Sequence, residues 1–314
     1  MADRDPDPTD GTDAPDGTNT PRGTDVEDAT SATNATDVFD RVTHSTRVNV
    51  LRALASAHAT DPTDPWLQYN ELRDAVDVRD NGNFNYHLDE LADFVVKTDA
   101  GYRLSRAGME LVSTIASGVL DTDWTWGPVD APGTCPFCDD DVVLHYTDGK
   151  LHLTCGTPDH AMPLGAPPSL LETHPDSEAV DKIAFLAYQW SEATRQSVCI
   201  DCHGRLTGHL EHGGRQPDHY HYHAHCHRCA YQHGVPLGLH CLTHPTVTRF
   251  HHDHDVDPRT TPWWTLDWTT PGTETTLQTD PLELQVDATI DDDTLTLTID
   301  HDGTVVDTHR TWTE

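Results

Sequence analysis

Lysine is almost missing from this chain: only Lys97, Lys150 and Lys182 occur in 314 residues. Long apolar runs are missing too, and a bilayer-spanning helix needs about 20 consecutive apolar residues, so a membrane partner is not expected. The N-terminal MADRDPDPTD has neither the basic stretch nor the apolar core of a secretory signal, which points to a soluble cytoplasmic protein. Basic residues in general are scarce, with 19 Lys and Arg against 53 Asp and Glu and a net charge of -34. Taken alone, that balance argues against nucleic acid as a partner, because neutralising phosphates supplies most non-specific affinity. The 8 cysteines are few for a disulfide scaffold of this length. They fall largely into C-x-x-C pairs, a pattern that favours metal over disulfides in a cytoplasmic chain.

Two features weaken the charge objection. Asp outnumbers Glu and Arg outnumbers Lys, the composition of proteins that work in a molar-salt cytosol. There the Debye length is about 3 Å, so repulsion across a surface is screened and local contacts decide. The charge is also unevenly placed, since residues 37–120 hold 8 of the 19 basic residues and 13 of the 53 acidic ones.

The stretch from Asn70 to Leu91, NELRDAVDVRDNGNFNYHLDEL, reads as two short helices joined by a tight turn. Asn70 is placed to cap a helix over Glu71 to Val76, and Asp80 to cap the next, each offering a side-chain oxygen to first-turn N–H groups. In the second helix Phe84, Leu88, Leu91 and Ala92 recur at i, i+4, i+7 and i+8, one stripe facing a core. The opposite face offers Asn83, Asn85 and Tyr86, with Arg79 just ahead. Asparagine amides pair bidentately with adenine in the major groove, so this face suits base reading; the plain alternative is a helical hairpin with solvated asparagines. Downstream, Val95 to Thr98 and Tyr102 to Leu104 form two strands about Asp99-Ala100-Gly101, and Ser105 caps a closing helix. That helix carries Leu111, Val112, Ile115, Val119 and Leu120, which either close the domain core or form a dimer face.

Upstream, Val42, Thr46, Arg47, Val50, Leu51 and Leu54 fit L-x-x-x-T-R-x-x-I-L-x-x-L. With NFNYHLDEL and the order helix, helix, helix, hairpin, helix, residues 37–120 resemble the ArsR-like winged helix-turn-helix regulators of haloarchaeal type. Val42 and Val50 stand where that family has Leu and Ile. The resemblance implies double-stranded DNA as partner, with the helix near Asn81 to Ala92 in the major groove and Arg79, Lys97 and Arg103 on phosphates.

Cysteine chemistry begins after a Pro/Gly/Asp-rich stretch, residues 121–134, read as a linker. Cys135-x2-Cys138, sixteen residues, then Cys155-x4-His160 supplies three thiolates and an imidazole, a tetrahedral zinc set. VVLHY and KLHLT alternate about Thr147-Asp148-Gly149, a hairpin that returns Cys155 to the first knuckle. A second set, Cys199-x2-Cys202 and after 23 residues Cys226-x2-Cys229, has the four-thiolate spacing of a zinc ribbon. Such shells leave no open position for water, so two structural zinc ions and no catalysis are expected. Between the two sets an amphipathic helix is expected over 176–196, with Val180, Ile183, Ala184, Ala187 and Trp190 on one stripe behind Pro175.

Inside the second ribbon, His219, His221, His223, His225 and His227 alternate as on a strand. That face is either a half-exposed row of neutral imidazoles or a metal sensor. His209-Leu210-Glu211 followed by Cys226-x2-Cys229 echoes the H-x-E and C-x-x-C of zinc deaminases, but Cys199 and Cys202 already complete the shell. Toward the C-terminus, helices are expected over Leu237 to Leu242 and Thr246 to His254, and Cys241 reads as a buried apolar residue. PWWTLDW reads as core, and runs over Leu282 to Ile290, Thr294 to Ile299 and Thr304 to Thr311 as a meander with Asp302-Gly303 in one turn. Ribbon, helix, ribbon, FHHDHDVDPRTTPWW and meander together resemble the domain that follows the winged helix in those regulators.

The sequence thus predicts an α+β chain: an acidic disordered tail over 1–36, a winged helix-turn-helix over 37–120, a linker over 121–134, and a two-zinc-ribbon domain ending in an antiparallel β-meander over 135–314. The expected function is sequence-specific transcriptional regulation, with a homodimer reading two half-sites. Two other readings stand beside it: a metal-responsive regulator sensing through the histidine strand, and a zinc enzyme.

Overall fold

The computed structural model describes residues 40–213 and 219–312, so the tail expected over 1–36 lies outside the described residues. The chain is α+β, with helices first and antiparallel sheets after them. Helices α1 (Ser45–Thr60), α2 (Tyr69–Ala75) and α3 (Asn81–Glu90) are followed by the hairpin β1 (Val95–Thr98) and β2 (Gly101–Leu104), and then by α4 (Arg106–Ala116). Asp80 caps α3 by accepting from the Asn83 N–H at 2.6 Å, and Ser105 caps α4 through the Gly108 N–H at 3.1 Å. Asn70 does not cap α2. Gln68 does, in a capping box with Glu71, whose carboxylate accepts from the Gln68 N–H at 2.7 Å, so the helix starts earlier than the cap residue alone implied.

Val50, Leu51, Leu54, Leu72, Phe84 and Leu91 form the fully buried centre of the N-terminal core. Ala92 is not in the stripe: α3 ends at Glu90, the chain turns at Leu91, and Ala92 is exposed. Gly101 (φ 119°) is required where β2 crosses Leu67, because a Cβ there would lie 2.4 Å from the Leu67 carbonyl oxygen. That approach lets Leu67 and Tyr102 exchange backbone hydrogen bonds of 2.9 and 3.0 Å. At the end of α4, Val119 and Leu120 lie beyond the helix and are exposed.

Much of the expected linker is a strand. β3 (Trp126–Thr134) pairs with β4 (Asp141–Thr147), which continues through the Asp148-Gly149 turn to β5 (Lys150–Thr154) and then β6 (Met162–Leu164). Asp148 (φ 51°) and Gly149 (φ 72°) are both left-handed, which matches the turn to the right-handed twist of its strands. α5 (Pro168–Thr173) and α6 (Asp176–Arg195) lead to a three-stranded sheet of β7 (Leu206–His212), β8 (Tyr220–Cys226) and β9 (Gln232–Pro236). α7 (Leu237–Cys241) and α8 (Pro245–Asp253) precede a four-stranded meander of β10 (Glu274–Thr279), β11 (Leu282–Ile290), β12 (Asp293–Asp300) and β13 (Val305–Trp312). β10 was not foreseen: it is exposed along almost its whole length and lacks the alternation that marks the other three strands.

These sheets share one core, in which Leu144, Leu151, Leu153, Ile183, Leu237, Leu242, Leu284 and Leu297 are buried together. Trp263, Trp264 and Trp268 belong to it. The Trp264 indole donates to the Pro132 carbonyl at 2.9 Å and so ties the aromatic segment to β3. Arg310 on β13 grips Asp293 and Asp253, pinning the last strand to β12 and α8.

Candidate functional site

Three C-x-x-C turns in this chain share one backbone solution. The amide of the first cysteine bonds back to a carbonyl five residues on: Cys135 to Asp140 (2.8 Å), Cys199 to Gly204 (2.9 Å) and Cys226 to Tyr231 (2.8 Å). The residue after the second cysteine is left-handed in each, Asp139 (φ 59°), His203 (φ 58°) and Ala230 (φ 59°). Such a φ is uncommon outside glycine. Here it curls the chain so that both sulfurs of a pair face the same point.

Cys135, Cys138, Cys155 and His160 bring their ligand atoms within 4.8 Å of one another, and so do Cys199, Cys202, Cys226 and Cys229. In the first set Cys138 and Cys155 sulfurs are 3.6 Å apart, and His160 Nδ1 lies 3.5 Å from Cys135 Sγ and 3.7 Å from Cys155 Sγ. In the second, Cys199 and Cys229 are 3.7 Å apart and Cys202 and Cys226 3.4 Å. A tetrahedral shell with metal–sulfur bonds of about 2.3 Å separates its sulfurs by about 3.8 Å, so both donor sets fit one small tetrahedral ion each. Backbone amides add to this. The Thr157 N–H donates to Cys155 Sγ at 3.4 Å and is the main influence holding that thiol down to about 7. At Cys226 burial acts to raise the thiol, and the backbone amides of Cys229 and Arg228, the latter donating at 3.4 Å, outweigh it and hold the thiol down to about 7. Hydrogen bonds to sulfur favour the thiolate that a metal takes.

His160 stands on a short 3-10 turn, Pro158–His160, and its ring lies 5.2 Å from that of Phe137. No second cysteine was needed after Cys155 because this turn delivers the fourth donor. Cys241 is not a ligand; it is buried, and burial pushes its thiol up to about 12.

Among the described residues no third set of donors converges in the same way. His221 and His223 on β8 have ring centroids 6.3 Å apart, and His223 Nε2 stands 3.8 Å from a Glu211 oxygen. His225 and His227 share the Thr207 hydroxyl at 3.3 and 2.9 Å. His219 precedes the strand.

On α3, Asn83 and Asn85 are exposed, as is Arg79 before it. Lys97 is exposed on the hairpin, 5.5 Å from the Tyr102 ring centre, while half-buried Arg103 lies 5.0 Å from the Trp66 ring centre and donates to the Leu104 carbonyl at 3.1 Å. Tyr86 is 53% exposed, but its hydroxyl accepts from Arg47 Nη2 at 3.2 Å. Arg47 has a role that nothing in its local sequence signals. Buried in α1, it donates to His87 Nδ1 (3.3 Å) and to the carbonyls of Asp40 (3.1 Å) and Arg41 (3.0 Å), and lies 3.5 Å from Glu90. One guanidinium therefore fixes the rotation of α3 against α1, and with it the direction in which Asn83 and Asn85 face.

A family model described as Domain of unknown function (DUF7347) matches residues 35–115, a span that ends within α4. Another, described as Domain of unknown function (DUF7351), matches residues 132–305 and takes in both metal-ligand sets. No curated protein and no solved structure matches the chain. Since the second match spans more than half of the sequence and both candidate metal centres, the chain belongs to the family of the Domain of unknown function (DUF7351).

Proposed function

We propose that this protein is a sequence-specific DNA-binding transcriptional regulator whose C-terminal half is held together by two structural zinc ions. The observation that carries the reading is the two-sided character of α3. Phe84, His87 and Leu88 anchor one side in the core, Arg47 locks its rotation, and Asn83 and Asn85 stand free on the other. A helix of this length spans about 15 Å and fits a major groove about 12 Å wide, where asparagine amides pair with adenine. Arg79 at the turn and Lys97 and Arg103 on the hairpin are the phosphate contacts. The order helix, helix, helix, hairpin, helix supports the resemblance to ArsR-like winged helices. Exposed Val119 and Leu120 beyond α4 are the surface on which a second copy would pair, so that two helices read two half-sites. Zinc suits both donor sets, and a closed four-donor shell stabilises the fold without offering a coordination position to a substrate.

Chromatin immunoprecipitation from cells grown in molar salt is expected to recover discrete promoters; uniform recovery would end this reading. On the best recovered site, Asn85→Ala is expected to lose about 1 to 3 kcal/mol of discrimination against scrambled DNA, the size of one bidentate base contact. Arg103→Ala should weaken both sequences alike. If Asn85→Ala bound both as the parent does, α3 would not be the reading helix.

A further inference from the structure

A cleft of about 750 Å³ opens between the two ribbon sheets, with β6, α6 and β9 among its walls. That volume is in the range of about 300 to 1,000 Å³ typical of small-molecule sites. Met162, Leu164, Ile183, Trp190 and Trp263 make the walls largely apolar and aromatic. Trp190 is held as a wall by the chain opposite. A Cβ on Gly165 would lie 1.2 Å from Cζ3 of its indole, so only glycine lets the ring lie flat against the backbone there. The uncharged polar side chains that line the cleft are those of Ser191, Tyr231 and Gln232 and the imidazoles of His160, His221 and His233. His233 on β9 has its Nδ1 3.3 Å from the Tyr231 hydroxyl, and burial pushes its pKa down to about 4, so the ring is uncharged at neutral pH. With the phenol donating, the ring proton sits on Nε2. His221 on β8 lines the same cleft, and its Nδ1 is buried with no hydrogen-bond partner. The charged residues at the opening, Lys150, Asp159 and Asp201, are exposed and of mixed sign. No buried charge is present to meet a charged ligand, and transferring one there uncompensated is unfavourable.

We propose that this cleft binds an uncharged aromatic small molecule bearing a carbonyl or hydroxyl group, which stacks against Trp190 and hydrogen-bonds to the imidazoles of His233 and His221. Val119, just beyond α4, lines the same cleft, so an occupant would touch the segment leading out of the N-terminal half. The binding itself does not rest on the DNA-binding reading, and its test uses no DNA.

The full-length, metal-loaded protein is titrated with N-phenyl-1-naphthylamine, an uncharged aromatic dye that fluoresces in apolar surroundings, and the dye is then displaced with benzophenone, an uncharged aromatic ketone. Saturable binding of one dye per chain and displacement by benzophenone are expected. Ala187→Phe and Ala166→Trp, each placing a ring in the cleft, should weaken dye binding at least tenfold while keeping the parent's metal content and circular dichroism. Irradiating the parent with benzophenone should place adducts on the peptides containing Met162 or His233, a readout independent of how the variants fold. Non-saturable fluorescence, unchanged binding in a folded filled variant, or adducts confined to other peptides would overturn the proposal.

Discussion

The two halves of this chain reach a closed core by different means. The N-terminal half packs α1, α2, α3 and α4 and a hairpin around Leu51, Leu54, Leu72, Phe84 and Leu91, with contacts drawn from a short stretch of sequence and one buried guanidinium to set helix rotation. The C-terminal half spreads one core over three separate sheets. Its second sheet has only three strands and carries half-buried or exposed histidines along one face, so it buries apolar area mainly through Leu206, Tyr222, Ala224 and Val235. A small sheet with one polar face cannot hold itself together by burial alone. One of the two candidate metal centres, Cys199, Cys202, Cys226 and Cys229, lies at this sheet, where a bound ion would add to what burial supplies.

Removing one thiolate should have the largest effect on the C-terminal half. Cys199→Ser or Cys229→Ser should lower bound zinc below two equivalents and unfold the C-terminal half, because metal-binding free energy in such sites is of order 10 kcal/mol and is folding free energy. Limited proteolysis should still leave a resistant N-terminal fragment covering α1 to α4. Loss of that fragment as well would mean that the two halves fold as one.

A smaller effect comes from equal truncations in the two cores. Leu51→Ala and Leu297→Ala each remove a fully buried side chain and should cost about 2 to 5 kcal/mol. Thermal unfolding followed by residue-resolved hydrogen exchange should show Leu51→Ala weakening only the first half and Leu297→Ala only the second. Uniform weakening by either would make the chain a single cooperative unit.

The smallest expected effect is on pH dependence. His240 is buried against Tyr222, with ring centroids 3.6 Å apart and Nε2 3.2 Å from the Gly303 carbonyl, and burial pushes its pKa down to about 4. Its ordinary value is about 6.5, so between these values the unfolded chain binds a proton that the folded one does not. Stability contributed by the neutral ring is therefore present above pH 6.5 and is lost as the pH falls toward 4. From pH 7.5 to 6 the loss is about 1 kcal/mol. His240→Gln should flatten the slope of C-terminal stability by that amount, read by denaturant titration at both pH values with zinc content measured alongside. A slope equal to the parent's would assign the acid sensitivity to other groups, such as His251, whose pKa burial also lowers.

Much of the candidate site was legible in the sequence for a local reason. C-x-x-C spacing and the Asp148-Gly149 turn act over a few residues, and the hairpin between Cys138 and Cys155 has one short way to close. Caps at Asp80 and Ser105 are local in the same sense. Where the reading failed, a neighbour distant in sequence decided the outcome. The Pro, Gly and Asp content of residues 121–134 suggests a linker, yet β3 is a strand because β4 offers it a partner and the Trp264 indole donates to the Pro132 carbonyl. Ala92 was assigned to a buried stripe by periodicity, but the chain had already left the helix.

By itself the sequence determined the chemistry of the two donor sets, the short turns that pair their members, and a helix with asparagines on one face, since each of these follows from spacing within a single element. Tertiary structure decided the rest. Arg47 became the lock between α1 and α3 because Tyr86, His87 and Glu90 converge on it. The cleft exists because folding brings β6 and β9, about 70 residues apart in the chain, to line one cavity together with α6. Neither can be read locally, because the free energy of a buried charge or an unfilled volume depends on groups that only folding brings together.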